Sequence, residues 1–74
     1  PTTTIEFKVN SYSNVDLVIT DIAGREVAKL VDDKFFSPGL YSYNFNAGLL
    51  STGIYFYTLK TDSEIVTNKM LFLK

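Results

Sequence analysis

The chain has no cysteine and no histidine. Without thiols there is no disulfide framework and no thiolate nucleophile. With imidazole also missing, the ligands of nearly every zinc site are gone. Ser-His and Cys-His nucleophilic pairs are impossible. An excess of one charge is lacking too: seven basic against eight acidic residues leave a net charge of −1. These charges are spread along the chain with no basic stripe, which excludes the electrostatic footprint of a nucleic-acid binder. No polybasic cluster offers itself to an anionic membrane surface. Long hydrophobic runs are missing as well. The longest, such as Ile54-Tyr55-Phe56-Tyr57 and Met70-Leu71-Phe72-Leu73, fall far short of the ~20 residues a spanning helix needs, so no membrane insertion is expected. No signal peptide, phosphate-binding glycine loop, repeat, low-complexity tract or linker is visible. The opening at Pro1 rather than Met predicts an N-terminus made by cutting or cloning.

What the chain does have is apolar side chains. Of its 74 residues 46% are hydrophobic, with six Phe and five Tyr, enough apolar area to offset chain entropy in one small domain. Their dominant period is two. Ile5, Phe7 and Val9 alternate with Thr4, Glu6 and Lys8, and Val15, Leu17 and Ile19 follow the same rule, so each set predicts a half-buried strand. Asn10 to Asn14 reads as a polar loop of hairpin length. Asp21-Ile22-Ala23-Gly24 predicts a turn in which Asp21 bonds the backbone ahead of it and Gly24 takes positive φ.

A third strand is expected around Val27 to Val31. There Val27 and Leu30 share a face only if the strand is bulged, and a short helix over Arg25–Lys34 competes. Asp32-Asp33-Lys34 reads as exposed loop. Ser37-Pro38-Gly39 predicts a second turn with positive φ at Gly39. Tyr41, Tyr43 and Phe45 alternate with Ser42 and Asn44 in a fourth strand. Ala47 to Gly53 is a connection. Ile54 to Leu59, apolar on both faces, fits a central strand. After a turn at Thr61-Asp62-Ser63, Glu64 to Asn68 is a strand start or an edge, and Met70 to Leu73 is the last strand.

About seven short antiparallel strands with regular turn signals predict an all-β, immunoglobulin-like sandwich. Ile5, Phe7, Val9, Leu17, Ile19, Tyr57 and Leu59 are its expected core. In that fold a tyrosine near the start of one strand bonds back across a corner, and Gly53-Ile54-Tyr55-Phe56-Tyr57 has the form, with Tyr55 at the corner. The alternative is that Tyr55 is an ordinary strand aromatic.

Carboxylate chemistry is the remaining catalytic route. Asp32 and Asp33 are adjacent and point apart on an extended chain. A calcium site needs six to eight oxygens from a shaped loop, and Asp32, Asp33 and Asp62 read better as solvated acids. No catalytic residue, no cofactor-binding residue, no metal ligand and no cofactor is therefore assigned, and the chain is not expected to be an enzyme. The aromatics are read as core before sugar platform. The exception is the pair Phe35-Phe36, of which one is an exposed contact or both plug the open end of the core.

In order along the chain stand Pro1-Thr2-Thr3-Thr4-Ile5, Asp21-Ile22-Ala23-Gly24-Arg25-Glu26-Val27, Ser37-Pro38-Gly39-Leu40-Tyr41, Leu50-Ser51-Thr52-Gly53-Ile54-Tyr55-Phe56-Tyr57 and Lys69-Met70-Leu71-Phe72-Leu73-Lys74. Together these resemble the C-terminal sorting domain (type A) of the type IX secretion system of Bacteroidetes and related bacteria. The resemblance covers almost the whole chain. It implies a single sorting domain over residues 1–74, behind an N-terminal cargo domain in the same polypeptide. It implies passage through the periplasm, recognition by the outer-membrane type IX translocon, and cleavage by a surface sortase-like peptidase. The cargo would then be secreted or held at the cell surface. The family's terminal basic-apolar motif falls on Lys69, Met70, Leu71, Phe72, Leu73 and Lys74, the candidate recognition segment. Its glycine elements fall on Gly24-Arg25, Gly39 and Gly53, which with Asp21, Pro38 and Tyr55 are read as structural turns and corner. A last strand at a sheet edge can dock by strand addition; for Met70 and Phe72 or their alternates an ordinary core role competes. Two other functions remain open: an immunoglobulin-like accessory or binding module for carbohydrate or protein, and a structural module like that of flagellar hook-capping proteins.

Overall fold

The computed structural model describes residues 2–48 and 50–73. Six strands follow one another: β1 (Thr2–Val9), β2 (Ser13–Asp21), β3 (Glu26–Phe36), β4 (Gly39–Asn46), β5 (Gly53–Lys60) and β6 (Ile65–Phe72). They form two antiparallel sheets, a ribbon of β1 and β4 and a larger sheet in the order β3-β2-β5-β6. The protein is all-β and sandwich-like, and no described residue is helical.

The alternation of β1 and β2 sets which faces meet. Ile5, Phe7 and Val9 point from the ribbon onto Val15, Leu17 and Ile19 of the larger sheet, and all six are buried. Val31, Ala47, Tyr55, Leu59 and Phe72 complete the core. Tyr57, expected inside, is only partly buried and packs against it. Because β2 and β5 are the inner strands of the larger sheet, β5 has neighbours on both edges, consistent with its apolar sequence.

Several expectations are corrected. Among the described residues there are six strands, not seven, because Glu64–Asn68 and Met70–Leu73 are not two elements. From Ile65 to Phe72 they form one edge strand paired with β5 in unbroken register. Residues 10–12 do not close a hairpin. They carry the chain from the ribbon to the larger sheet, since β1 pairs with β4 and not with β2.

The helix over Arg25–Lys34 does not form, and Asp32-Asp33-Lys34 belongs to β3 rather than to a loop. The bulging expected there is present as three register shifts between β2 and β3. Asp33 takes a left-handed φ of 49°, a conformation Asp tolerates better than most residues. Asp16 of β2 accepts the Asp33 N–H at 2.9 Å, which holds the bulge to its neighbour.

Both glycines take the expected positive φ, 84° at Gly24 and 159° at Gly39, the second at the border of extended backbone. Residues 37–38 cross between the sheets instead of reversing the chain within one, so a left-handed residue is not required. A Cβ at Gly39 would lie 3.6 Å from the Tyr41 ring, an ordinary contact distance.

Two strands cannot cover four. The sandwich is therefore open along both sides, with a groove of about 330 Å³ between β3 and β4 and one of about 230 Å³ between β1 and β6.

Candidate functional site

One end of the sandwich gathers most of the sequence elements singled out above. The turn after β2 comes first. Asp21 Oδ1 accepts the N–H groups of Ala23 and Arg25, both at 2.9 Å, and its carbonyl accepts the Gly24 N–H at 3.0 Å. The Arg25 Nε closes the loop on Asp21 Oδ2 at 2.9 Å. Hydrogen bonding from the Arg25 backbone, with smaller contributions from the Arg25 side chain, the Ala23 N–H and the guanidinium charge, outweighs desolvation and holds the Asp21 carboxyl below its ordinary value.

Pairing then ties this turn to the chain's last strand. Asp21 lies opposite Tyr55 on β5, and Tyr55 lies opposite Met70 on β6. Tyr55 is buried, and its hydroxyl donates to the Ser51 carbonyl at 2.7 Å across the corner that enters β5. Gly53, opposite Phe72, opens the same strand. Asp21, Gly24, Arg25, Gly53 and Tyr55 thus stand beside Met70–Phe72, while Pro38 and Gly39 lie at the other end of the molecule, where β4 begins.

The recognition candidate is divided by strand alternation. Met70 and Phe72 face inward, Phe72 buried and Met70 packed against the core. Leu71 and Leu73 are exposed at 64% and 66%, and Lys69 is exposed with them. Leu71 lies opposite Ile54, itself 38% exposed, so an apolar strip crosses the outer face of the sheet beside Lys69. Among the described residues Lys69 makes no ion pair. Lys74 lies outside the described residues.

Some residues that matter were not singled out from sequence. Tyr41 repeats the Tyr55 geometry: its hydroxyl donates to the Ser37 carbonyl at 2.7 Å, four residues back. The signal was available, since Ser37-Pro38-Gly39-Leu40-Tyr41 and Ser51-Thr52-Gly53-Ile54-Tyr55 share the pattern Ser-x-Gly-x-Tyr. In both, the tyrosine ring lies against the glycine. The two corners are a short recurrence in a chain that otherwise reads as free of repeats. Ser13 is the second. It is buried, accepts the Asp62 N–H at 2.7 Å and donates to the Asn14 carbonyl at 2.8 Å, which latches the start of β2 to the β5–β6 turn. Nothing in its sequence context marks it.

Acidic residues do not converge. Asp32 pairs with Lys29 at 3.3 Å and Asp62 accepts the Asn14 N–H at 3.4 Å. Among the described residues no three acids form a cluster that could hold a metal ion. Phe35 and Phe36 split: Phe36 packs on the core and meets Tyr41 edge-on at 4.7 Å, while Phe35, 63% exposed, stacks on Tyr12 at 6.1 Å.

The fold and this site define a small all-β, sandwich-like domain whose last strand carries Lys69 and Leu71 exposed on its outer side. A family model, the secretion system C-terminal sorting domain, matches residues 1–73. The chain belongs to that family, the C-terminal sorting domains of type IX secretion. Domains of this family mark a cargo for export to the cell surface or beyond. No curated protein matches the chain, and no solved structure does.

Proposed function

We propose that residues 1–74 form a single, non-catalytic C-terminal sorting domain. In this reading it directs a cargo through the periplasm to the outer-membrane type IX translocon and is cut off by a surface sortase-like peptidase. The observation that carries it is the family match over residues 1–73. The geometry of β6 refines it. A translocon component reads the outward set Lys69, Leu71 and Leu73, while Met70 and Phe72 hold the strand to the core. A charged head beside exposed leucines recognises a partner with an apolar surface and a carboxylate near its rim. Asp21, Gly24, Arg25, Gly53 and Tyr55 keep β5 and β6 in place and do not touch the partner.

The test is a reporter fused between a signal peptide and this chain, in a host with the type IX machinery. The intact fusion reaches the surface or medium. Lys69→Ala with Leu71→Ser leaves the reporter in the periplasm. Both residues are exposed, so the melting temperature should hardly move; surface changes of this kind cost no more than about 0.5 kcal/mol. An intact domain that fails to redirect the reporter would replace this reading with the binding-module or hook-cap one.

A further inference from the structure

We infer that β6 pairs with β6 of a second copy of this chain, antiparallel about Asn68, joining the two larger sheets into one. This does not rest on the sorting reading. It starts from a contrast between the two edges of the larger sheet. The β3 edge is guarded: three register shifts, a left-handed Asp33 and the charged run Asp32-Asp33-Lys34 break its line. These are the devices by which natural sheets refuse another strand. The β6 edge has almost none of them. All eight of its residues pair with β5 without a shift; it has no proline, and Lys69 is its only charge. Its free side leaves a row of backbone N–H and C=O groups without a strand partner among the described residues.

The occupant follows from the sequence of the edge. Ile65-Val66-Thr67-Asn68-Lys69-Met70-Leu71 is a palindrome in polarity about Asn68: two apolar residues, three polar, two apolar. In an antiparallel pair related by a two-fold axis through Asn68, residues facing each other share a side of the sheet. On the outer side Ile65 then meets Leu71 of the second copy, and Thr67 meets Lys69. On the inner side Val66 meets Met70, and Asn68 meets itself. Apolar residues meet apolar ones and polar meet polar. The neighbouring registers lack this match. Centring on Thr67 sets Ile65 against Lys69 and Val66 against Asn68, and centring on Lys69 sets two ammonium groups face to face. The register about Asn68 also covers side chains now in water, since Ile65 is 66% exposed, Val66 38% and Leu71 64%. The axis stands perpendicular to the sheet, so the grooves between β1 and β6 of the two copies open on the same side, one on each flank of the axis.

The register gives a specific test. Asn68 is exposed, and in this dimer it is its own neighbour. Asn68→Asp and Asn68→Lys each place like charges directly opposite. Each should raise the dimer dissociation constant by about fivefold or more. Mixing the two variants places opposite charges there and should restore association to at least the wild-type level. Sedimentation velocity over a concentration series reads this, with melting temperatures as the check on folding. If an Asn68 variant melts well below wild type, Ile65→Lys and Ile65→Lys/Leu71→Glu serve instead. The single variant should weaken the dimer, and the double variant should regain it through two cross-copy ion pairs. A wild-type chain that stays monomeric to about millimolar concentration overturns the inference. So does a dimer indifferent to both Asn68 variants, or a mixture no tighter than its components.

Discussion

At the scale of single residues, the turn after β2 shows how local chemistry fixes a backbone. Gly24 is left-handed, and a Cβ built on it meets nothing within 4 Å, so its requirement is conformational alone. Gly24→Ala should therefore destabilise by about 1 kcal/mol. Gly39→Ala should cost less, since φ there borders extended backbone and the nearest ring atoms are at ordinary contact distance. Chemical denaturation of both variants checks the order, and equal losses would overturn it. Asp21 makes a pH-dependent contribution. Its folded carboxyl titrates below the ordinary value of 3.8, so the stabilisation is complete above that value. It is lost as pH falls through the lowered folded value. Asn in its place keeps an acceptor but loses the charge facing Arg25. The wild type's advantage over Asp21→Asn should be constant near neutrality and shrink below about pH 4. A difference between the two that did not change down to pH 2 would remove the Arg25 pairing as its source.

At the scale of elements, legibility depended on how much of each strand's pattern packing alone dictates. β1 and β2 could be read residue by residue because one face of each is buried along its length, and burial enforces alternation. β3 could be read only as a difficulty of parity. A bulge shifts the alternation partway, and the acids that make it, Asp32 and Asp33, look like loop residues when the Asp16 carboxylate that receives the Asp33 N–H is out of view. In sequence β6 reads as two segments because Thr67, Asn68 and Lys69 break its apolar pattern. An edge strand can carry such a break, since its outer side chains remain in water. Of the candidate site, the sequence marked the segment Lys69–Lys74 but not which side chains face out. That division follows from the pairing of Phe72 with Gly53, which alternation along the strand extends back to Lys69. The two Ser-x-Gly-x-Tyr corners share one geometry in different surroundings, so their hydroxyl bonds should differ in worth. Tyr55 is buried at its corner while Tyr41 is only partly buried. Tyr55→Phe should cost about 1 kcal/mol, and Tyr41→Phe less, because water replaces an exposed bond. Thermal or urea melts of the two variants measure this; a larger loss at Tyr41 would mean that the Ser37–Gly39 corner is the more constrained.

At the scale of the whole molecule, the governing fact is a small core shared between two and four strands. A domain of this size has a stability of roughly 4–11 kcal/mol, and it has few residues from which to draw that. Val15, Leu17 and Ile19 are fully buried, and all three are on β2, the strand that also pairs with both β3 and β5. Leu17 belongs to one core cluster with Phe7 and Val9 of the ribbon and lies opposite Leu59. Leu17→Ala should therefore cost about 2–5 kcal/mol, a large part of the total. Leu71→Ser, two-thirds of the way to full exposure on β6, should stay within about 0.5 kcal/mol. The pair separates folding from recognition in one experiment. In the reporter assay Leu17→Ala should lower export in step with the fraction unfolded and should recover at lower temperature. Leu71→Ser should lower export with the melting curve unchanged and should not recover. If both follow the folded fraction alone, β6 is a structural strand, and the surface read by the export machinery must be sought elsewhere, first at the exposed Tyr12–Phe35 pair at the opposite end.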